Sequence, residues 1–154
     1  MMNLQESFKQ EAIKWAEAQV KYVHRGVSKL GCDCTGLIIG ICRSLGYLGT
    51  YKLRQYPPDW NLHTGRGNYI EEELNKVANE IPIHVMQEGD ILAFYLHTCL
   101  AHVGILVNKD NGMFVHVFDG SKKCQYAIYK NSAWSSRFKK VFRLDPIKME
   151  RFHG

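Results

Sequence analysis

No apolar run in this chain is long enough to cross a bilayer, and its first residues, Met1-Met2-Asn3-Leu4-Gln5-Glu6, lack the basic stretch followed by an apolar run that marks a secretory leader. These absences predict synthesis in the cytoplasm without a signal peptide, and no membrane span. Long proline, glycine or serine tracts are missing, so nothing reads as an extended linker. Internal repeats and nucleic-acid-binding motifs are missing too. The five cysteines, Cys32, Cys34, Cys42, Cys99 and Cys124, are odd in number and not spaced like a secreted disulfide framework. That suits a reducing compartment and leaves at least one thiol free.

With 154 residues, 45% of them hydrophobic, the chain can bury the core of one domain spanning residues 1–154. The net charge of +5 is concentrated near the C-terminus, in Arg137, Lys139, Lys140, Arg143, Lys148 and Arg151. Such charge attracts anionic polymers such as nucleic acid or cell wall, but the alternation from Arg137 to Leu144 fits a strand with a solvated basic face. No nucleic-acid partner is predicted.

Residues Leu4 to Tyr22 read as an amphipathic helix with Phe8, Ala12, Trp15, Ala16 and Gln19 on one face. A second helix begins at Cys34, and a third is expected from Tyr69 to Asn79, closed by Pro82. From Gly89 onward the pattern turns to short β-rich runs at Asp90–Leu96, His102–Val107, Met113–Phe118, Gln125–Tyr129 and Lys139–Leu144. Helices followed by an antiparallel sheet predict the α+β class.

Chemistry concentrates in Gly31-Cys32-Asp33-Cys34-Thr35-Gly36-Leu37-Ile38. Leu37, Ile38, Ile41 and Leu45 recur at helical spacing, and Asp33 is a good N-cap, which places Cys34 at the first helical position. There the positive end of the helix dipole favours a thiolate, drawing its pKa from about 8.5 toward neutrality and making Cys34 the expected most reactive thiol. In the strand Ala101–Val107, His102, Gly104 and Leu106 share one face and Val103, Ile105 and Val107 the other. A five-residue loop Asn108–Gly112 sets His116 beside His102 as a diagonal neighbour, whereas a two-residue Asn111-Gly112 turn puts them on opposite faces. Periodicity leaves that register open.

These residues resemble the NlpC family of papain-fold cell-wall cysteine peptidases, in particular its phage and gene-transfer-agent branch. Tyr22-Val23-His24-Arg25-Gly26, followed by Asp33-Cys34-Thr35-Gly36-Leu37-Ile38, is similar to the family's Tyr-x-x-x-Gly lead into Asp-Cys-Ser-Gly-Leu-Val. Glu88-Gly89-Asp90 resembles its Pro-Gly-Asp strand start, His102-Val103-Gly104-Ile105 its His-Val-Gly-Ile strand, and Phe114-Val115-His116 the strand carrying the third polar residue. The Tyr56-Pro57-Pro58-Asp59-Trp60 connector, Trp134 to Arg137 and Phe142-Arg143 resemble features of the phage branch. The resemblance implies a papain-like fold with Cys34 as nucleophile, His102 as general base, His116 as its orienting residue and Tyr22 as a donor near the oxyanion. It also implies the peptidoglycan stem peptide as substrate, cleaved between γ-D-glutamyl and a diamino acid, with no cofactor and no metal. Phage tail components join the partners, and the wall is reached through a phage particle, lysis or another export route. Thr35 replaces the family's Ser, Glu88 replaces its Pro, and Cys32 adds a second thiol. Asp59, Trp60 and Arg66 read as exposed loop residues or as the lining of a groove.

Three other readings remain at this point. Zinc held by Cys32, Cys34, His24, Cys99 and Cys124 is disfavoured by the short Cys-x-Cys spacer and the lack of a second matched pair. A catalytically silent phage tail or wall-binding module would keep the fold without the reaction. A toxin-type deamidase or acyltransferase would keep the cysteine chemistry and change the acceptor.

Overall fold

The structure is a computed structural model that describes residues 2–53, 68–96 and 98–153. The Tyr56–Trp60 connector with Asp59 and Trp60, together with His63, Arg66 and His97, lies outside the described residues. Helix α1 (Leu4–Glu17) opens at Asn3, whose side chain accepts from the Glu6 amide. Its apolar face buries Phe8, Ala12, Trp15 and Ala16. The expected extension to Tyr22 does not form. Gln19 turns to φ 52°, and the chain continues as an extended segment whose Val20 carbonyl accepts from the Cys124 amide. Gln19 is exposed, off the buried face expected for it.

A short hairpin, β1 (Val27–Ser28) and β2 (Gly31–Cys32), leads into α2 (Cys34–Ser44). Leu37 and Ile41 of α2 are fully buried, each contributing about 2 kcal/mol by removal from water. Helix α3 (Tyr69–Asn75) is shorter than expected. Ala78–Ile81 instead forms strand β3, because pairing with β8 satisfies backbone groups that a polar edge segment would otherwise leave to water. A single 3-10 turn, Ile83–Val85, then leads to β4 (Ile91–Leu96), β5 (Cys99–Asn108), β6 (Met113–His116), β7 (Gln125–Ile128) and β8 (Phe138–Leu144), followed by α4 (Pro146–Glu150).

Among the described residues these strands form a six-stranded antiparallel sheet in the order β3-β8-β4-β5-β6-β7. The fold is α+β. One face, with Val103, Ile105 and Val115, packs against Phe8, Ala12 and Trp15 of α1 and Leu37 and Ile41 of α2. The other face gathers Leu92, Phe94, Leu106, Phe114 and Val141 into a second cluster, against which Trp134 and Phe138 pack. The pairs Ile105↔Val115 and Leu106↔Phe114, with a bulge before Asn108↔Met113, set the β5–β6 register. His102 and His116 therefore lie on one face, as the longer loop requires.

Asp90 ties these layers together. It is fully buried and accepts from Gln5 Nε2 of α1 at 2.6 Å, from the Gln87 amide at 2.7 Å, and from Arg143 Nε and Nη2 of β8 at 2.8 Å each. The charge-assisted pair keeps the guanidinium above its ordinary pKa. Asp90→Asn should therefore destabilise the protein by roughly 3 kcal/mol, since it leaves a half-buried guanidinium without its counter-charge. Urea unfolding measures this, and a midpoint equal to wild type would refute the clamp.

Candidate active site

Four sequence segments converge on the N-terminus of α2. Asp33 accepts from the Gly36 amide at 2.8 Å as N-cap, from Thr35 Oγ1 at 3.2 Å, and from the Arg25 amide at 2.8 Å, so a single carboxylate holds both the helix start and the Tyr22–Gly26 lead. His24 Nδ1 lies 4.0 Å from the same group. The lead and the helix touch closely: a Cβ at Gly36 would collide with the Gly26 carbonyl oxygen. Tyr22 pairs in parallel with Cys32 and donates its amide to the Lys122 carbonyl at 2.7 Å, while Lys21 pairs with Lys123. The segment between β6 and β7 thus closes one side of the site.

Cys34 stands at the first position of α2. From Gly31 to Cys42 it is the one residue that is not buried. The β5–β6 pairing ends at Ile105↔Val115, and α2 packs against β5. There the backbone N–H groups of Val103, Thr35 and Cys34 lie near enough to the Cys34 sulfur to favour its thiolate. Because Val103 follows His102 directly, this contact sets the thiol beside the residue that carries the imidazole. Among the described residues the sulfur and the His102 ring are not themselves hydrogen-bonded; such contacts commonly tighten only when substrate is bound.

The three amides do not produce the low thiol pKa expected at a helix N-terminus. Burial, and then the Asp33 carboxylate, push Cys34 up to about 12. The thiol is therefore protonated at rest, a correction to the sequence-based reading. The helix dipole acts on Cys34, but it is opposed by desolvation and by the very residue that caps the helix.

His102 and His116 form a pair, with Nε2 of His102 2.9 Å from Nδ1 of His116. Their neighbours are aromatic. Trp134 stacks on His102 at 5.1 Å between ring centroids and 26°, Phe118 stacks on His116 at 5.3 Å and 24°, and Phe94 and Phe114 close the remaining sides. Burial, and then the charge of His116, hold His102 well below the usual histidine range, and burial alone brings His116 to about 4. His116 Nε2 is buried without a hydrogen-bond partner among the described residues. In β5, Gly104 lets the Phe114 ring pack closely, because a Cβ there would meet that ring at 2.6 Å.

Tyr22 is half-buried, and its hydroxyl is raised by burial, then by the charges of Asp33, Asp119 and Cys34, which puts the phenol in the electrostatic neighbourhood of the thiol. The remaining cysteines are placed elsewhere. Cys32 and Cys124 face each other with sulfurs 3.9 Å apart in the core, Cys42 is buried in α2, and Cys99 donates to the Leu96 carbonyl at the start of β5. Among the described residues no group of three or more His, Cys, Asp or Glu could hold a metal. Two contributors escaped the sequence reading. Val103 acts through its backbone, which side-chain patterns do not reveal, and Trp134 was visible only as part of a Trp-x-x-Arg pattern with no role attached.

The sign of the histidine shifts predicts an acid-sensitive fold. Both histidines bind protons more readily in the unfolded chain, so their contribution is complete above pH 6.5 and is lost as pH falls from 6.5 toward 4. For His116 alone the loss is roughly 3 kcal/mol across that interval. Urea midpoints measured from pH 7.5 to 4.5 should fall steadily, and His116→Gln should flatten the decline. A wild-type midpoint unchanged down to pH 5 would contradict the buried neutral pair.

No curated protein matches the chain. An NLP/P60-family protein similar to a lipoprotein, from Staphylococcus aureus subsp. aureus Mu50, matches with 21% identity and a TM-score of 0.61, over 92% of this chain and 41% of that one. The NlpC/p60 domain of the peptidoglycan hydrolase SagA matches with 15% identity and a TM-score of 0.59, over 93% of this chain and 100% of that domain. RipD from Mycobacterium tuberculosis, a non-catalytic NlpC/p60 domain protein adapted to peptidoglycan binding, matches with 12% identity and a TM-score of 0.57, over 95% of this chain and 99% of that one. At such identities these likenesses establish the fold, and the chain spans about two fifths of the Staphylococcus protein. The model of the NlpC/P60 family matches residues 19–143, which carry the Tyr22 lead, the Cys34 helix and both strands of the histidine pair, and the chain belongs to that family.

Proposed function

We propose that this protein is a cysteine peptidase that hydrolyses amide bonds in peptidoglycan stem peptides, at the bond between γ-D-glutamyl and a diamino acid. The observation that carries the reading is the meeting of Cys34, the one residue not buried at a buried helix start, with the Val103 backbone of β5, next to the His102 that pairs with His116 of β6. Membership of the NlpC/P60 family and the likeness to a peptidoglycan hydrolase support it.

With both partners neutral at rest, the thiol gives up its proton as it attacks. The proton moves from Cys34 Sγ to Nδ1 of His102, and the sulfur bonds to the amide carbon. This requires His102 to carry its resting proton on Nε2 and donate it to Nδ1 of His116, which fixes the tautomer that leaves Nδ1 free as base. The Cys34 amide and the Tyr22 hydroxyl face the developing oxyanion, where one such donor contributes about 3 to 4 kcal/mol. As the C–N bond breaks, His102 returns the proton to the leaving amine, and water then hydrolyses the thioester. The protein would meet its substrate at the cell wall, reached in a phage particle with tail components as partners, through lysis or by another export route.

A second reading keeps the fold for wall binding alone. It is favoured by the protonated resting thiol, by the missing thiol–imidazole bond and by the non-catalytic neighbour RipD. Digestion of purified peptidoglycan with mass analysis separates the two. Wild type should release stem-peptide fragments and Cys34→Ala none; sedimentation of wild type with the wall without any release would sink the peptidase reading. Within an active enzyme, His102→Ala should lower turnover by more than about 100-fold, whereas His116→Asn should leave a larger remainder. Tyr22→Phe should lower turnover by about one to three orders of magnitude with little loss of stability. Full activity in the His116 variants, or retention of more than about a tenth of the rate by His102→Ala, would rule out the mechanism.

A further inference from the structure

Beside His102 opens a cavity of about 460 Å³ whose walls include Phe94, Leu96, Phe118 and Trp134. Among the described residues its one permanently charged lining residue is Arg137, which is exposed and makes no side-chain hydrogen bond or ion pair with any of them. The backbone that carries this cation is held firmly. The Trp134 amide donates to Ser132 Oγ at 3.1 Å, the Arg137 and Phe138 amides donate to the Trp134 carbonyl at 3.1 and 3.0 Å, and the Arg137 carbonyl accepts from the Tyr95 amide at 2.7 Å. That last bond pins the turn to β4 beside its bulge at Phe94/Tyr95.

Reaction chemistry indicates which half of a substrate would enter. The imidazole that protonates the leaving amine must lie against that amine, so the residue bearing it sits over His102. The cavity that the same imidazole walls can take the rest of that residue. Aromatic walls suit an aliphatic chain, and an unpaired guanidinium suits a carboxylate at its end, which it can grip by two parallel hydrogen bonds. We propose that Arg137 is a specificity-determining residue that selects a leaving residue carrying a free carboxylate by pairing with it, with Trp134 forming an aromatic wall of the same cavity beside the catalytic imidazole. This rests on the peptidase reading and adds the substrate class of its amine side.

Two synthetic peptides test it: L-Ala-γ-D-Glu-meso-diaminopimelate blocked as the amide at its α-carboxyl so that only the distal carboxylate is free on the leaving residue, and the same peptide with the distal carboxylate amidated as well. Wild type should favour the free acid by about 10- to 100-fold in kcat/KM, with most of the difference in KM. Arg137→Gln should reduce that preference to about twofold or less, and Arg137→Lys should keep part of it, because a point charge replaces a planar fork. Equal rates for the two peptides in wild type, or an undiminished preference in Arg137→Gln, would overturn the assignment. Calorimetric titration of Cys34→Ala with both peptides keeps the two claims separate. If wild type cleaves neither peptide, the peptidase reading fails, and binding then decides the pocket. A preference for the free acid that Arg137→Gln abolishes upholds Arg137 as a carboxylate anchor, whereas equal affinities refute it.

Discussion

The Asp33 carboxylate is the constraint on which the site depends. It caps α2, holds the Arg25 amide of the preceding lead and takes the Thr35 hydroxyl, all from a nearly fully buried position. Without it, the helix start that presents Cys34 and the segment that presents Tyr22 would have no shared anchor. The same charge works against the chemistry it organises, because it raises both the thiol and the phenol. Position and electrostatics pull in opposite directions, and burial decides the balance. At rest the site holds a protonated thiol beside neutral imidazoles.

That balance explains the aromatic enclosure. Trp134, Phe118, Phe94 and Phe114 exclude water from the histidine pair, which keeps the imidazoles uncharged and their mutual hydrogen bond short. An uncharged His102 can accept a proton, whereas an imidazolium cannot. The enclosure also opens sideways into the cavity that Arg137 lines, so the turn before β8 both walls His102 and lines that cavity. Further away, Asp90 joins α1, β4 and β8 and so fixes the sheet on which the pair stands.

Much of this arrangement could be read from local sequence. An N-cap before an apolar period of helical spacing marks α2 and places Cys34, and alternation assigns His102 and Val103 to opposite faces of β5. The relative position of His102 and His116 could not be read, because it depends on a bulge between Leu106 and Asn108 that no local pattern announces. The sequence pattern carries the third helix into Ala78-Asn79, the first half of β3, since Ala, Asn and Glu form strands poorly and the segment pairs because β8 offers an edge. The raised Cys34 pKa was also beyond sequence. A helix N-terminus is a local feature, while desolvation is a property of everything packed around it.

The resting protonation of Cys34 is measured most directly by its alkylation rate with limiting iodoacetamide across pH, followed by peptide mapping. Thiolate is the reacting species, so a partly exposed thiol that is protonated at rest should react about tenfold faster for each unit of pH between 6 and 9, with no acid plateau. A rate that is already flat from pH 5 to 8 would show a pre-formed thiolate–imidazolium pair and contradict the neutral resting site described for Cys34 and His102.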